Sequence, residues 1–148
     1  LEAMEEPQVV RYQQGQEFSW HYDEVPASQL SNGGQRIATL LVYLNDLAAT
    51  EDCGGGTAFR DLFLADKKTP LVMQPKQGSA LLFFPAFQDG TPDDRTLHRS
   101  EVMTCEAEKW IVQMWVHKEA YQAVLPAGNS NVAARSKMEA MINQLGYE

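Results

Sequence analysis

Two histidines and one aspartate have the residue types and the spacing of a metal site. His21 and Asp23 are separated by one residue in the β-rich stretch 17–23, and alternation along a strand would point both side chains to one face. His98 follows a long polar loop at the start of a later strand, where the fold could bring it beside the other two. Such a facial triad suits non-haem Fe(II) and leaves three coordination positions open. The alternative is a solvent-facing His–Asp pair on an edge strand, with His98 as a hydrogen-bonded structural histidine.

A lysine that begins an apolar strand is a candidate for anion binding. In the strand predicted over 108–118, Lys109 shares one face with Ile111, Gln113 and Trp115. If that face points outward, the lysine reaches solvent along its apolar stem. If it points inward, its ammonium needs an anion, because an unpaired buried charge is costly; a dicarboxylate co-substrate between a metal and Lys109 would supply one. Four hydroxyls could surround that carboxylate or be ordinary strand residues: Tyr12, Thr39, Tyr43 and Thr57.

The elements that must position these residues are mostly short strands. Runs rich in β-formers predict strands at 9–12, 17–23, 36–44, 57–60, 71–74, 79–84 and 108–118, with another strand beginning at His98. The run 36–44 is apolar on both faces, which is typical of a strand buried on both sides, and 79–84 is also expected to be buried. Eight or so short strands indicate a mainly β sandwich or barrel. A metal site in its mouth favours a double-stranded β-helix, the jelly-roll barrel of the cupin type.

The sequence pattern changes period near the C-terminus. After Pro126 and Gly128, apolar side chains recur at helical spacing, at Met138, Met141, Ile142 and Leu145. We expect a C-terminal amphipathic α-helix over about 129–146 that packs on the outside of the barrel. The alternative is that its Met-bearing stripe binds a partner.

Size and charge narrow the class of protein. The 148 residues, 44% of them hydrophobic, fit one domain over 1–148 with a substantial core. A net charge of −8 and the lack of a Lys/Arg stripe argue against nucleic acid as the main partner. The longest apolar runs, 37–44 and 79–87, are too short to span a bilayer. Residues 1–6 lack the apolar stretch of a signal peptide, and the abrupt start before a strand suggests that a preceding portion is missing.

The two cysteines, Cys53 and Cys105, both lie in predicted loops. Their spacing is not the C-x-x-C of a zinc or redox site. A disulfide and two free thiols are equally open, so the cellular compartment is undecided, as is the oligomeric state.

Eight segments form a set that is highly specific when taken together. They are 10–23, 33–36, 43–46, 54–59, 75–81, 93–98, 108–110 and 115–117. In this order they resemble the catalytic core of the prolyl 4-hydroxylase family, whose members are Fe(II)- and 2-oxoglutarate-dependent dioxygenases. The resemblance covers about residues 8–118 and does not extend over 119–148. The helical portion that usually precedes this core in the family has no counterpart here.

The resemblance implies roles for the matching residues. The implied iron ligands are His21, Asp23 and His98. Lys109 would bind the distal carboxylate of 2-oxoglutarate, with Tyr12 and Thr57 as hydrogen-bond donors. The implied activity is hydroxylation of peptidyl proline at the 4-position, with O2 consumed, succinate and CO2 released, and ascorbate as the reductant that restores the iron.

The resemblance also implies a proline-containing peptide or protein as substrate. Arg36 and Trp115 match positions that face the peptide in the family, and Phe18 stands where some members have tyrosine. The loops 23–34 and 46–56 would be flexible flaps over the peptide. Members of the family occur in the endoplasmic reticulum and secretory pathway, whereas a bacterial member would be cytoplasmic.

Two departures from the family concern the turn between His98 and Lys109. The interval is one residue longer than we expect, and Val102, Met103 and Ala107 replace the usual proline and glycine. These changes bear on the shape of the turn and leave the predicted ligands untouched.

Two other functions stay open: the same oxygenase chemistry on another side chain or a small molecule, and a catalytically silent jelly-roll binding module.

Overall fold

Two antiparallel sheets face each other in the computed structural model, which describes residues 2–47 and 53–123. The strands of this described part are β1 (Gln8–Tyr12), β2 (Phe18–His21), β3 (Arg36–Tyr43), β4 (Thr57–Phe63), β5 (Pro70–Met73), β6 (Ala80–Phe83), β7 (His98–Ser100) and β8 (Lys109–His117). Two short 3-10 helices, Ala27–Gln29 and Asp94–Thr96, lie in connecting loops. Within the described residues, no helix has the length and apolar character needed to cross a membrane.

The strand order confirms the predicted jelly-roll class. One sheet has the order β1-β8-β3-β6 and the other the order β2-β7-β4-β5. Strands that are far apart in the sequence are therefore neighbours, and both sheets contain strands from both halves of the chain. Because side chains alternate along each strand, every strand directs half of its residues into the space between the sheets. This is a double-stranded β-helix with one interior.

Apolar side chains from both sheets fill that interior. On β3, Thr39, Leu41 and Tyr43 are buried while Leu40 and Val42 on the other face are only half-buried. The buried cluster consists of Tyr12, Leu41, Tyr43, Phe59, Phe83, Met103 and Ile111. Burying one large apolar side chain contributes about 1.5–3 kcal/mol, so this cluster gives the site a rigid base.

Two expectations about burial are wrong. β6 was expected to be buried, but Leu82 is 56% exposed and Phe84, just after the strand, is 60% exposed. The reason is that β6 is the edge strand of its sheet and only its Phe83 face meets the interior. β3 was expected to be buried on both sides, and only one of its faces is fully buried.

Several predicted boundaries also move. The strand that carries the first ligand ends at His21, so Asp23 lies just beyond it, and the strand predicted at 57–60 continues to Phe63. The helix predicted over 129–146 lies outside the described residues.

Cys53 and Cys105 form a disulfide, with a Cα–Cα distance of 4.9 Å. This decides between the two states that the sequence left open. The bond joins the segment before β4 to the turn between β7 and β8.

Candidate metal and co-substrate site

The three predicted metal ligands converge at one end of the interior. His21 ends β2 and His98 begins β7, and the two residues are register partners in one sheet. Asp23 Oδ1 lies 3.7 Å from His21 Nε2 and 3.8 Å from His98 Nε2. Both separations are too long for a hydrogen bond. The three ligand atoms therefore face a common gap, and all lie within 4.8 Å of one another.

Backbone carbonyls fix the orientation of both imidazoles. His21 Nδ1 lies 2.7 Å from the carbonyl oxygen of Ser19, and His98 Nδ1 lies 2.9 Å from that of Thr96. A carbonyl can only accept, so Nδ1 of each ring carries the proton and donates. The lone pair of each Nε2 is then directed at the gap. Metal-ligating histidines are typically held by such a second hydrogen bond.

Asp23 and His98 are shielded from water. Thr39 Oγ1 donates to Asp23 Oδ2 over 2.7 Å, which leaves Asp23 Oδ1 free to face the two imidazoles. The rings of Phe59 and Phe83 lie with their centroids 5.7 and 4.9 Å from that of His98. Burial lowers the pKa of His98, so its imidazole is neutral near pH 7 and able to bind a metal.

These observations fit a bound metal ion. The three side chains meet without hydrogen-bonding one another, and a neighbour outside the gap holds each of them. Two imidazole nitrogens and one carboxylate oxygen are the donor set of the non-haem Fe(II) facial triad. Across residues 2–47 and 53–123, this is the one cluster of three histidine, cysteine or acidic residues close enough to hold an ion.

Lys109 points inward, which resolves the ambiguity that alternation left. It begins β8 and is only 1% exposed. Its Nζ donates to the carbonyl of Gly55 over 2.7 Å and to Ser100 Oγ over 2.8 Å, and it lies 4.9 Å from the centroid of the Tyr12 ring. Within the described part of the chain, no carboxylate forms an ion pair with it.

The charge of Lys109 is therefore poorly compensated. Burial lowers its pKa to about 8, and the negative charge of Glu101 opposes this shift only in part. An ammonium in such surroundings is stabilised when an anion joins it. The pocket that reaches Lys109 also reaches the three metal ligands, and its lining includes Tyr12, Phe18, His21, Asp23, Thr57, His98, Ser100 and Lys109.

The predicted hydroxyls divide into two groups. Tyr12 and Thr57 line this pocket. Thr39 donates to Asp23, and the Tyr43 hydroxyl donates to Thr57 Oγ1 over 2.9 Å, so both lie behind residues that line the pocket. A direct contact of Thr39 or Tyr43 with a co-substrate stays a prediction.

Ser100 is a pocket residue that the sequence analysis missed. It lines the pocket and accepts a hydrogen bond from Lys109. It follows His98 by two positions on β7, so alternation places both side chains on one face. That spacing is the signal that could have identified it.

The predicted substrate residues lie next to the metal ligands. The Phe18 ring stacks on the His21 ring with centroids 3.8 Å apart and is 46% exposed. The Arg36 guanidinium lies 4.0 Å from the Trp115 ring centroid and donates to the carbonyl oxygen of Asp23 over 3.3 Å. The indole N–H of Trp115 is buried without a hydrogen-bond partner among the described residues.

Glu5 and His117 extend this group and were not predicted. Glu5 Oε1 accepts from Arg36 Nε over 2.6 Å and lies 2.8 Å from His117 Nε2. A cavity of about 380 Å³ is lined in part by Glu5, Arg36, His117 and Tyr121. His117 shares the inward face of β8 with Lys109, which alternation could have shown, whereas nothing in the local sequence points to Glu5.

The family model and the similar curated proteins found by comparison indicate the same family. Residues 7–117 match the family model of the 2OG-Fe(II) oxygenase superfamily. The chain is 35% identical to prolyl 4-hydroxylase 2 of Arabidopsis thaliana in an alignment 136 positions long, which covers 82% of this chain and 44% of that protein. It is 31% identical to prolyl 4-hydroxylase subunit alpha-2 of Gallus gallus, over 84% of this chain and 22% of that subunit.

A solved structure agrees with these relatives. The viral collagen prolyl hydroxylase of Paramecium Bursaria Chlorella virus-1, in its 2OG complex, superposes with a TM-score of 0.60 and 32% sequence identity, over 76% of this chain and 57% of that one. The chain thus spans less than two thirds of the length of each of these relatives. The family match itself extends over residues 7–117 of the 148. This chain therefore belongs to the 2OG-Fe(II) oxygenase superfamily.

Proposed function

We propose that this chain carries the catalytic site of a peptidyl prolyl 4-hydroxylase that uses Fe(II), 2-oxoglutarate and O2, with ascorbate as reductant. The observation that carries the proposal is a single pocket that contains three convergent ligand atoms and a buried ammonium whose charge the described residues compensate only in part. Either feature alone occurs in other kinds of protein. Together they match the two ends of a dicarboxylate that binds a metal with one end and a cation with the other.

The metal ligands would hold the ion from one side. His21, Asp23 and His98 would supply three ligand atoms to the ion, a donor set that leaves further coordination positions available to a co-substrate and O2. Bound iron, 2-oxoglutarate and O2 together supply the oxidation of 2-oxoglutarate to succinate and CO2 and the hydroxylation of a carbon–hydrogen bond. The contribution of the protein is to hold the reactants in a fixed orientation and to keep water out, for which the buried surroundings of Asp23 and His98 are suited.

Lys109 would select a co-substrate with a second carboxylate. Its ammonium would gain a counterion when 2-oxoglutarate binds, since no carboxylate among the described residues forms an ion pair with it. Tyr12 and Thr57 line the same pocket and can donate hydrogen bonds to that carboxylate. A monocarboxylate such as pyruvate would leave Lys109 unpaired and should bind poorly.

The peptide would lie across Phe18 and beside the Arg36–Trp115 stack. Phe18 presents an open aromatic surface next to His21, on which a pyrrolidine ring can pack. The indole N–H of Trp115, which has no hydrogen-bond partner among the described residues, would find an acceptor in a peptide carbonyl. The relatives named above are prolyl hydroxylases, which favours peptidyl proline over another substrate.

Mass spectrometry tests the proposal directly. Proline-rich peptides incubated with the protein, Fe(II), 2-oxoglutarate and ascorbate should gain one oxygen on proline, and the Asp23→Ala variant should give none. Succinate release without peptide oxidation would instead favour oxygenase chemistry on another side chain or a small molecule. Failure of the protein to bind Fe(II) and 2-oxoglutarate would favour a silent jelly-roll module.

A further inference from the structure

The cage around the Lys109 ammonium is built from two segments that meet only through the fold. Gly55 belongs to the segment before β4 and supplies its carbonyl oxygen at 2.7 Å from Lys109 Nζ. Ser100 ends β7 and supplies its hydroxyl at 2.8 Å. The position of the ammonium therefore depends on how these two segments are held together.

The disulfide joins the extensions of these same segments. Cys53 lies two residues before Gly55, and Cys105 lies in the turn that leads from Ser100 to Lys109. Backbone hydrogen bonds run alongside the disulfide, from the Gly55 amide to the carbonyl of Val102 over 3.2 Å and from the Thr104 amide to the carbonyl of Cys53 over 2.9 Å. The two segments thus form a short ladder that the disulfide closes at one end.

This ladder packs closely against Lys109. A Cβ on Gly55 would lie 2.5 Å from Met103 Sδ and 3.6 Å from Lys109 Cδ, and the Met103 side chain is fully buried. A displacement of the turn would therefore move Met103 against Gly55 and change the cage. Close packing of this kind transmits strain instead of absorbing it.

The disulfide adds to the restraints that the turn already has. Residues 101–108 contain no proline, so no pyrrolidine ring fixes a φ angle in the turn, and its shape depends on its hydrogen bonds to other segments. A covalent link to Cys53 limits the conformations of the turn from outside.

We propose that the Cys53–Cys105 disulfide is a positioning element for the co-substrate, which holds Gly55 and Ser100 around Lys109, so that breaking it weakens 2-oxoglutarate binding and leaves metal binding intact. The inference rests on the proposed function of the pocket. A dithiol would break the bond by thiol–disulfide exchange: two electrons and two protons pass from the dithiol to the two sulfurs, and the dithiol closes to its own disulfide. Cys105 is partly exposed and Cys53 is buried, so the exchange would begin at Cys105. Co-substrate affinity would then depend on the thiol redox state.

The test compares the oxidised protein, its dithiol-reduced form and the Cys53→Ala/Cys105→Ala variant by calorimetric titration of 2-oxoglutarate in the presence of Mn(II). Loss of one well-placed hydrogen bond to a charged group corresponds to about tenfold in affinity. We expect the reduced form and the double variant to bind 2-oxoglutarate about tenfold more weakly than the oxidised protein. Mn(II) affinity should be the same in all three. In turnover assays with Fe(II), the KM for 2-oxoglutarate should rise by the same factor while kcat is unchanged.

A control separates positioning from general loss of stability. Leu62→Ala removes a half-buried side chain packed against the core and should lower stability without changing 2-oxoglutarate affinity. Unchanged affinity after reduction would overturn the proposal, as would an equal loss in Leu62→Ala. Loss of the folded circular dichroism spectrum on reduction would also overturn it, because the bond would then serve the whole fold.

Amide hydrogen exchange distinguishes failure of this inference from failure of the proposed function. Reduction should speed exchange at Gly55 and Thr104 and spare the β3–β8 ladder. If the oxidised protein binds Mn(II) but not 2-oxoglutarate, the proposed function fails and the co-substrate role of the disulfide fails with it. If it binds both and exchange at Gly55 does not change on reduction, only the positioning role fails.

Discussion

Replacing Lys109 by methionine removes a charge that the folded protein holds at a cost. Burial lowers the pKa of Lys109 from 10.5 to about 8, which corresponds to about 3 kcal/mol against the charged form near pH 7. The substitution also removes the hydrogen bonds to Gly55 and Ser100, each of which contributes about 1.5 kcal/mol because the donor is charged. The two effects nearly cancel, so we expect the free energy of unfolding of the metal-free protein to change by less than about 1 kcal/mol.

The same substitution should damage co-substrate binding severely. Removing one partner of a buried ion pair costs about 3–5 kcal/mol, so the 2-oxoglutarate concentration needed for half-maximal rate should rise at least about 100-fold. Denaturant unfolding at pH 7 and succinate-release kinetics measure the two effects. Lys118→Met is the matched control, because Lys118 is exposed and its Nζ donates to the carbonyl of Asp89 instead of facing the metal and co-substrate pocket. A Lys109→Met protein that loses 2 kcal/mol or more of stability and keeps its 2-oxoglutarate requirement would refute the reasoning.

The affinity for 2-oxoglutarate should fall as the pH rises through about 8, the pKa of Lys109, because only the ammonium attracts the carboxylate. In the ligand-free protein the free energy of unfolding should rise as the pH increases from about 8 to 10.5, because over that range Lys109 has lost its proton in the folded state and keeps it in the unfolded state. Titrations from about pH 6.5 to 9.5 check this, and a flat profile would contradict it. Thr39→Val should lower metal affinity about tenfold with the fold intact, since Thr39 orients Asp23. Equilibrium dialysis measures the metal affinity, and an unchanged value would contradict that role of Thr39. The double variant Cys53→Ala/Cys105→Ala should lower the free energy of unfolding by about 4 kcal/mol, because the disulfide closes a loop of 52 residues. Denaturant unfolding measures this loss. A loss below about 1 kcal/mol would show that other contacts restrain the loop.

Two of the three candidate metal ligands could be predicted from a local signal. His21 and Asp23 are two residues apart, and that spacing alone places them on one face. The arrival of His98 beside them depends on the pairing of β2 with β7, which the residues themselves do not specify and which the family resemblance supplied. For Lys109, alternation defined its face on β8 but not the direction of that face, which is set by packing of the two sheets.

The features that the sequence did not predict depend on distant contacts. Glu5 reaches Arg36 and His117 because the N-terminal segment pairs antiparallel with the end of β8. The partnership of Cys53 and Cys105 likewise needs two loops to meet. The exposure of Leu82 follows from the position of β6 at a sheet edge. An apolar run has the same sequence pattern in an edge strand as in a central strand, so the pattern could not show this position.

The central claim is that His21, Asp23 and His98 together bind one ferrous ion that can also bind 2-oxoglutarate. Anaerobic titration of the Fe(II)-loaded protein with 2-oxoglutarate, followed by visible absorption, tests this claim most directly. A weak charge-transfer band should appear, saturate with added 2-oxoglutarate and be lost in Asp23→Ala. A wild-type protein that shows no band, or an Asp23→Ala protein that shows the same band, would contradict it.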